Sequence, residues 1–435
     1  MTEPLAILGG PRARTTPYPA WPVFDQTDID AVSATLRSGR WGGYPYPGPS
    51  SVEFARRFAA MQGGGYPVLM ANGTVTMEVA CRAAGIGWGD EVIVPACTFQ
   101  ATAAAPMAAG AIPVIVDIDP ETFCIDPAGI EAAITPRTRA ILPVHLASQV
   151  CDMDAIMDIA ERHNLVVIED CAHAHGAAWR GRGVGTIGDF GSFSFQSSKS
   201  ISTGEGGILL CRTPEMAARA ASLIDCGRPH SMVFPFAEVD SPQAGLSMDS
   251  MGANYRMAEI QAALGVAALQ RFPEQVRQRV EMRAYLEESL SEVPGVRLLR
   301  RDPRHTGRSF YRYSFAIEPQ VFGTSNLVVS ALLNEEGVPA ETGYPPMHRY
   351  DLFQPGKSRL PVPSAFPEYF DFHKYSLPVA EQVCENEAVW LEEQVFRAGP
   401  QGIDDVVRAF QKILANQNHM DEAIRILKEK YGMNK

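Results

Sequence analysis

The stretch Gly188-Asp-Phe-Gly-Ser-Phe-Ser-Phe-Gln-Ser-Ser-Lys-Ser-Ile-Ser-Thr-Gly-Glu-Gly-Gly-Ile-Leu-Leu210 has the pattern of a strand, a polar turn and a second strand. Phe190, Phe193 and Phe195, with small residues between them, are typical of a buried strand. Lys199 lies in the polar turn among hydroxyl side chains. Most lysines of this kind are ordinary solvated residues. The alternative is a desolvated lysine with a lowered pKa, whose amine attacks an aldehyde cofactor. Residues elsewhere in the chain are needed to distinguish the two interpretations.

Upstream of this hairpin, short apolar strands alternate with helices, which predicts a mostly parallel sheet with helices on both faces. The predicted strands are Tyr66–Met70, Glu91–Pro95, Ile112–Asp117, Ala140–His145 and Leu165–Glu169. In such an α/β sheet, ligands bind at the carboxyl ends of the strands.

A chain of 435 residues favours two domains. We expect an extended N-terminal arm over residues 1–25, a large domain over 26–275, and a small α+β domain with a terminal helix over 276–435. The large domain begins with a helix from Asp25 to Ser38 that carries Ile29, Val32 and Leu36 on one face. Near the boundary, a helix ending at Arg271 is expected to be separate from a second one starting at Pro273.

The composition is that of an ordinary globular protein, with 46% apolar and 20% charged residues. The net charge of −12 and the lack of a basic run argue against nucleic acids and anionic membranes as partners. Neither a signal peptide nor a stretch able to span a bilayer is recognisable. The eight scattered cysteines are interpreted as reduced thiols, and a cytoplasmic location is expected.

Several polar residues follow the predicted strands. Asp170 ends a buried strand, where it either caps a turn or holds the nitrogen of a pyridine ring protonated. Three residues later, His173 is placed to lie beside such a ring. His173 and His175 also have the spacing of a metal pair, but no third ligand stands nearby and we expect no metal.

Two further segments suit a phosphorylated, flat cofactor. The sequence Asn72-Gly73-Thr74 joins a strand to a helix, so its amides and hydroxyl are predicted at a helix N-terminus, where a phosphate is stabilised. Phe99 follows the strand that ends at Pro95 and either covers a ring or packs between helix and sheet. Each signal is weak alone.

In combination, motifs along the chain resemble the DegT/DnrJ/EryC1/StrS family of pyridoxal-phosphate sugar aminotransferases. These motifs occur in the family's order and cover the chain from about Asp25 to Ala415: Asn72–Thr74, Val94–Phe99, Pro143–His145, Asp152–Asp154, Ile168–Ala177, Ser194–Gly207 and Gly252–Met257. The resemblance implies the aspartate-aminotransferase type of α/β fold (fold type I). It also implies a large, mostly parallel mixed sheet flanked by helices, a smaller C-terminal α+β domain, and a homodimer with shared active sites.

The resemblance also implies catalytic roles. Lys199 would form the internal aldimine with pyridoxal 5'-phosphate and move the proton during catalysis. Asp170 would pair with the pyridinium nitrogen, and His173 would contact the ring. A lysine at position 199, where one branch of the family has histidine for dehydration, favours transamination.

Other residues would hold the cofactor. By the same resemblance, Phe99 would stack on the ring, and Gly73, Thr74 and Ser194 would bind the phosphate. Asn254 would reach that phosphate from the neighbouring subunit.

Three segments look most like the subgroup that transfers an amino group from L-glutamine to scyllo-inosose or 2-deoxy-scyllo-inosose. They are Pro19–Pro22, Gly39–Gly43 and Tyr344–Phe353. A polyhydroxylated keto-cyclitol needs hydrogen-bond partners and flat surfaces, and the candidates for substrate contact are Trp41, Tyr44, His348 and Tyr350.

Alternatives remain at this stage. The nearest is an aminotransferase that uses L-glutamate and a nucleotide-diphosphate keto-sugar. A non-catalytic regulator that binds pyridoxal phosphate, and a metal-dependent hydrolase built on His173 and His175, belong to other classes. One departure from the family pattern, Ala147-Ser-Gln-Val150 in place of a Tyr-Gly-Gln-Pro-like turn, is expected to reshape the loop near the substrate.

Overall fold

The computed structural model describes residues 3–43, 47–228, 251–371 and 375–432. Its strands are β1 (Tyr66–Met70), β2 (Glu91–Pro95), β3 (Ile112–Val116), β4 (Thr138–Ile141), β5 (Val166–Asp170), β6 (Ala177–Trp179), β7 (Arg182–Gly183), β8 (Phe190–Ser194), β9 (Gly207–Cys211), β10 (Val296–Arg297), β11 (His305–Arg308), β12 (Tyr313–Ile317), β13 (Ala340–Glu341) and β14 (Ala388–Leu391).

The α-helices of the same residues are α1 (Gln26–Ser38), α2 (Pro49–Gln62), α3 (Gly73–Ala83), α4 (Ala101–Ala108), α5 (Pro127–Ala133), α6 (Met153–His163), α7 (Pro214–Ile224), α8 (Glu259–Ser291), α9 (Pro319–Phe322), α10 (Asn326–Glu335), α11 (Pro361–Ala365), α12 (Pro378–Gln382), α13 (Gln394–Arg397), α14 (Gly399–Ala415) and α15 (Met420–Tyr431). None of the described helices is long and apolar enough to cross a bilayer.

The main sheet has seven strands in the order β1-β9-β8-β5-β4-β2-β3. The pairs from β8 to β3 are parallel, whereas β9 runs antiparallel to both of its neighbours. The predicted hairpin is therefore confirmed as β8 and β9, with Phe193 opposite Ile208. The predicted class, an α/β fold with a large, mostly parallel mixed sheet, is also confirmed.

A four-stranded sheet in the order β10-β12-β14-β13 forms the centre of the C-terminal part. One face of this sheet packs with α10 and α14 in an apolar core of its own, whereas Ala316, Ala388 and Trp390 on its strands belong to the core of the main sheet. We propose that these two cores mark a large domain over 26–275 and a small domain over 276–435, preceded by the arm of residues 1–25.

The long helix α8 differs from the prediction of two helices separated before Pro273. A proline inside a helix removes one backbone hydrogen bond and crowds the carbonyl four residues earlier. Here packing outweighs that cost, because Leu269 and Phe272 are buried on one side of the proline and Leu286 and Leu290 on the other. The chain therefore continues as one helix, and residue 275 lies inside it.

The first helix presents its apolar residues outward. Ile29 and Leu36 are 49% and 47% exposed, whereas Asp28 is buried. The carboxylate of Asp28 accepts a hydrogen bond from the Arg271 guanidinium at 2.7 Å and another from the Asp25 amide at 2.9 Å. This ionic anchor turns the polar side of α1 toward α8 and leaves the apolar side at the surface.

Candidate active site

A cavity of about 650 Å³ opens at the carboxyl ends of β2, β4 and β5. Its walls include Thr98, Val144 and Asp170, which follow or end these three strands. The structure brings seven of the residues singled out from the sequence to this cavity: Gly73, Thr74, Phe99, Asp170, His173, Ser194 and Lys199. Residues more than a hundred positions apart in the chain thus share one site.

Lys199 lies in the turn between β8 and β9, where its amide donates to the Gln196 carbonyl at 2.9 Å. Its Nζ lies 4.3 Å from the centre of the Tyr311 ring. The residue as a whole is partly exposed, but the amine itself is enclosed by protein. Desolvation lowers the pKa of Lys199 to about 7, Asp170 opposes this shift, and Arg312 adds to it. Near neutral pH, a large fraction of the amine is therefore unprotonated and able to attack a carbonyl carbon.

We expect the pH dependence of cofactor loading to show this lowered pKa. Only a neutral amine attacks an aldehyde, so with Lys199 as the proposed point of attachment the rate at which cofactor-free protein takes up pyridoxal phosphate should rise with pH through about 7 and then level off. Below that midpoint the rate should fall roughly tenfold per pH unit. Stopped-flow absorbance of the visible band measures this rate. Arg312→Gln should move the midpoint upward and Asp170→Asn downward, whereas a midpoint near 10 in the unmodified protein would contradict the burial of the amine.

Asp170 is buried at the end of β5 with both carboxylate oxygens in hydrogen bonds. The Thr102 hydroxyl donates to Oδ2 at 3.0 Å and the Ala172 amide to Oδ1 at 3.1 Å. Burial raises the pKa of Asp170, and these two donors together with Lys199 counteract the increase. A carboxylate held in this way is suited to a cationic N–H partner in the cavity.

His173 is fixed in one tautomer by its neighbours. Its Nδ1 accepts a hydrogen bond from the Ala147 amide at 3.1 Å, so Nε2 carries the proton and donates to the Tyr344 hydroxyl at 3.3 Å. Burial first, and then the charges of Lys199 and Arg312, lower the pKa of His173 well below its usual value. The site thus contains a neutral imidazole that is oriented by backbone and tyrosine.

The loop that departs from the family pattern supports these side chains. Ala147 has a φ of +53°, a left-handed conformation that costs a residue with a Cβ about 1–2 kcal/mol. Its amide orients His173, and its carbonyl accepts a hydrogen bond from the Tyr311 amide at 3.4 Å. The unusual sequence at 147–150 therefore affects the cavity through a strained backbone position.

The N-terminus of α3 forms a cradle at one end of the cavity. Asn72 caps the helix by accepting from the Val75 amide at 2.9 Å, and the amides of the first turn have no acceptor within the helix. A Cβ on Gly73 would lie 2.7 Å from the Cβ of Ser194, so only glycine fits this close approach. Together with the hydroxyls of Thr74 and Ser194, the cradle fits a phosphate group.

The alternative of a metal pair at His173 and His175 does not agree with the geometry. The Nδ1 of His175 accepts from the Ile201 amide at 3.3 Å, and its ring packs against Phe193 and Phe195. Burial lowers the pKa of His175 to about 3. Since each imidazole already uses its lone pair for a backbone amide, the two rings do not offer a shared site to an ion.

A second group with possible ligand atoms, His145, Glu169 and Cys171, is buried at the end of β5. The two oxygens of Glu169 accept from the amides of Gly185 at 2.8 Å and Gly188 at 2.7 Å, among others, and from His145 at 3.1 Å. These bonds already occupy the carboxylate, which therefore acts as a structural anchor for the loop before β8.

Known proteins resemble this chain in sequence and in fold. Residues 22–391 match the sequence pattern of the DegT/DnrJ/EryC1/StrS aminotransferase family. The chain belongs to this family. It is therefore an aminotransferase that depends on pyridoxal phosphate, as the sequence predicts. When bound, this cofactor withdraws electrons from the carbon that carries the amino group, so that a proton can leave that carbon.

Relatives resemble the aminotransferase over nearly its whole length. A protein of Micromonospora echinospora provisionally named L-glutamine:3-amino-2,3-dideoxy-scyllo-inosose aminotransferase is 41% identical over 98% of this chain and 100% of its own. The L-glutamine:2-deoxy-scyllo-inosose aminotransferase of the same organism is 38% identical over 96% of this chain and 99% of its own. The crystal structure of 3-amino-5-hydroxybenzoic acid synthase superposes with a TM-score of 0.79, with 31% identity, 93% coverage of this chain and 99% of the other.

Three of the four predicted substrate-contact residues, Trp41, His348 and Tyr350, do not line the cavity of the single chain. Trp41 is 56% exposed, and its indole N–H donates to the Leu36 carbonyl at 3.1 Å. His348 is buried and bonded to the Glu381 carboxylate at 2.9 Å, and Tyr350 is half-buried outside the cavity wall. Tyr44 lies outside the described residues. Within one chain, none of the three described residues reaches the cavity, because His348 faces Glu381 and Trp41 lies against the end of α1.

Sequence reasoning missed other residues of the site. Thr102 holds Asp170, and the remaining four line the cavity from the C-terminal part of the chain: Tyr311, Arg312, Glu341 and Tyr344. The only local signal was the polar pair Tyr311-Arg312 directly before the apolar run Tyr313–Ile317. Their distance along the chain from Lys199 hid their role.

Proposed function

We propose that this aminotransferase moves an amino group from L-glutamine to the ketone of a cyclitol, such as scyllo-inosose, 2-deoxy-scyllo-inosose or an amino derivative of them. The observation that carries the proposal is the match, over nearly the whole chain, to relatives named for glutamine and these cyclitols. The cavity supports it, because hydroxyl and amide side chains dominate its polar wall and suit a small polyhydroxylated ring.

In this proposal, Lys199 holds the cofactor covalently in the resting enzyme and, once released, moves the proton at its Nζ. Its lowered pKa suits both tasks, because a base near pH 7 can both take and return a proton. Asp170 keeps the ring nitrogen protonated, and Phe99 covers one face of the ring. His173 supplies a neutral N–H and an oriented ring edge beside the cofactor.

The phosphate is proposed to lie in the cradle of Gly73, Thr74 and Ser194. Asn254 is exposed in the single chain and absent from the cavity wall, which agrees with a role in a neighbouring subunit's site. The cradle accounts for the need of glycine at position 73, since any Cβ would collide with Ser194.

We further infer that the enzyme works as a homodimer. Large apolar side chains at the surface near the N-terminus support this: Phe24 is 68% exposed and Trp41 56%, next to the exposed face of α1 that carries Ile29 and Leu36. Apolar groups clustered in this way commonly mark a protein interface. Sedimentation analysis giving the mass of a monomer at micromolar concentration would overturn this inference.

The function is tested with purified holoenzyme in two separate steps. L-glutamine should remove the visible absorption of the cofactor bound to Lys199 and release the corresponding 2-oxo acid. Addition of 2-deoxy-scyllo-inosose should then restore the absorption and produce the amino-cyclitol, which mass spectrometry detects.

The outcomes of the two steps separate the proposals. Restoration by a nucleotide-diphosphate keto-sugar, with L-glutamate as donor and no response to the cyclitol, would overturn the substrate proposal and keep transamination. A protein that cannot be loaded with pyridoxal phosphate at all would contradict the proposed roles of Lys199 and the phosphate cradle.

A further inference from the structure

An ion pair forms part of the cavity wall. Arg312, just before β12, is paired with Glu341 of β13, and its second amino group lies 3.7 Å from Glu392. Among the described residues of the cavity wall, Arg312 and Lys199 are the only cations of the arginine and lysine type. The Lys199 amine has its place in the chemistry, so Arg312 is the cation whose function is unexplained.

The two partners of this pair differ in their exposure to solvent. The side chain of Arg312 is 16% exposed and that of Glu341 40%. A mostly buried guanidinium needs a negative partner, because a desolvated charge without one is costly. A carboxylate that is two-fifths exposed loses little when its partner leaves, because water replaces the lost hydrogen bonds. Glu341 is thus the replaceable member of the pair.

Arg312 and Lys199 both lie against the ring of Tyr311. The guanidinium carbon of Arg312 lies 5.0 Å and the Nζ of Lys199 4.3 Å from the centre of the same Tyr311 ring. The two cations also interact electrostatically, since Arg312 contributes to the lowered pKa of Lys199. The amino and carboxylate groups of an α-amino acid are separated by a single carbon, and Lys199 and Arg312 line the same cavity, so Arg312 is the arginine available to the carboxylate of a donor whose nitrogen takes the place of Nζ.

Two substrates of unlike charge must use this cavity in turn. An amino acid brings a carboxylate, whereas a keto-cyclitol has none. A permanently unpaired arginine would bind the first and penalise the second, because the uncharged ring would leave the guanidinium desolvated without a partner. A replaceable glutamate removes that penalty.

We propose that Arg312 binds the α-carboxylate of the amino donor and returns to Glu341 when the acceptor occupies the cavity. This inference rests on the proposed transfer from an amino acid to a ketone without a carboxylate. Arg312 is thereby a specificity residue for the donor, and Glu341 is its counter-ion during the second half of the reaction. No covalent step is added, since only hydrogen bonds and ion pairs are exchanged.

The test uses holoenzyme and 5-amino-5-oxopentanoate, which is glutamine without its amino group and therefore binds without reacting. Its dissociation constant is measured by calorimetry for the unmodified protein, Arg312→Gln, Glu341→Gln and Arg300→Gln. Arg300 serves as the matched control because it is exposed, pairs with Asp119 and lies outside the cavity wall. Arg312→Gln should raise the dissociation constant about 10- to 100-fold, and Arg300→Gln should leave it unchanged within about twofold.

Glu341→Gln gives an independent result, because it removes the main partner of Arg312 and leaves the guanidinium in place with only Glu392 at 3.7 Å. This variant should bind the carboxylate about 2- to 10-fold more tightly, since the ligand no longer competes with Glu341. Equal or weaker binding by Glu341→Gln overturns the exchange, even if Arg312→Gln fails to fold. Binding by folded Arg312→Gln within twofold of the unmodified protein would also overturn the proposal.

The kinetics of the two half-reactions distinguish loss of donor binding in Arg312→Gln from a general disturbance of the structure. Arg312→Gln should lower kcat/KM for L-glutamine far more than kcat/KM for the acceptor, whereas a general disturbance lowers both alike. If the cyclitol proves to be the wrong acceptor, binding of the donor analogue still reports on Arg312. Failure of the proposed function and failure of this inference are therefore distinguishable.

Discussion

Replacing Lys199 with alanine should lower transamination at least about 10⁴-fold, because in the proposed mechanism the change removes both the covalent attachment and the group that moves the proton. The loss should affect both half-reactions, since the same Nζ acts in each direction. Single-turnover absorbance with L-glutamine measures the first, and formation of the amino product measures the second. The cavity should remain, because Lys199 contributes no large apolar surface to either core.

A control variant and a rescue experiment test this prediction further. Lys357→Ala removes an exposed lysine that pairs with Asp351 and should keep full activity. Added methylamine, a small amine of suitable size, should restore part of the activity of Lys199→Ala, because it can enter the space left by the side chain. Turnover of Lys199→Ala within tenfold of the unmodified enzyme would remove this lysine from the mechanism.

Asp170→Asn should reduce kcat/KM about 10²- to 10³-fold while the protein stays folded. An asparagine keeps the shape and can still accept from the Ala172 amide, but it lacks the charge that holds a proton on the ring nitrogen. Without that charge, the ring withdraws electrons less strongly and the proton leaves the substrate carbon more slowly. Steady-state kinetics together with a thermal melting curve separate lost chemistry from lost stability.

Asp158→Asn is the matched control for this substitution. Asp158 lies on the surface of α6 in an ion pair with Arg162, so the same chemical change there should leave activity unaltered. If Asp170→Asn retains activity within fivefold, the buried carboxylate is a turn cap and not the partner of the cofactor ring.

The sequence predicted those parts of the site that local pattern determines. Buried strands are recognised by their apolar runs, so the end of β5 located Asp170 at the edge of the sheet, whereas Ser194 was assigned only through the resemblance to the family. The cap at Asn72 is likewise a local signal, since it depends on residues three positions apart. For Asp170 and Asn72, the neighbouring sequence was enough to predict a position at the end of a strand or the start of a helix.

Tertiary packing determined the rest. The sequence around Arg312 does not indicate that Arg312 and Lys199 contact the same tyrosine ring, because more than a hundred residues separate them. The tautomer of His173 depends on the left-handed backbone at Ala147, which its sequence does not favour. The continuity of α8 through Pro273 depends on apolar contacts at both ends of the helix, which outweigh the local preference for a break.

The single helix α8 also limits how the protein can be divided. It supplies Leu269 and Phe272 to the core of the main sheet, and Leu286 and Leu290 to the core of the smaller sheet. At 1.5 Å per residue, its 33 residues form a rod about 50 Å long. Dividing the chain near residue 275 would leave each fragment with only part of this helix. Each fragment would then expose apolar side chains that the missing part of the helix covers. Recombination that swaps substrate preferences between relatives should therefore succeed only when the crossover lies outside this helix and the whole rod is inherited from one parent.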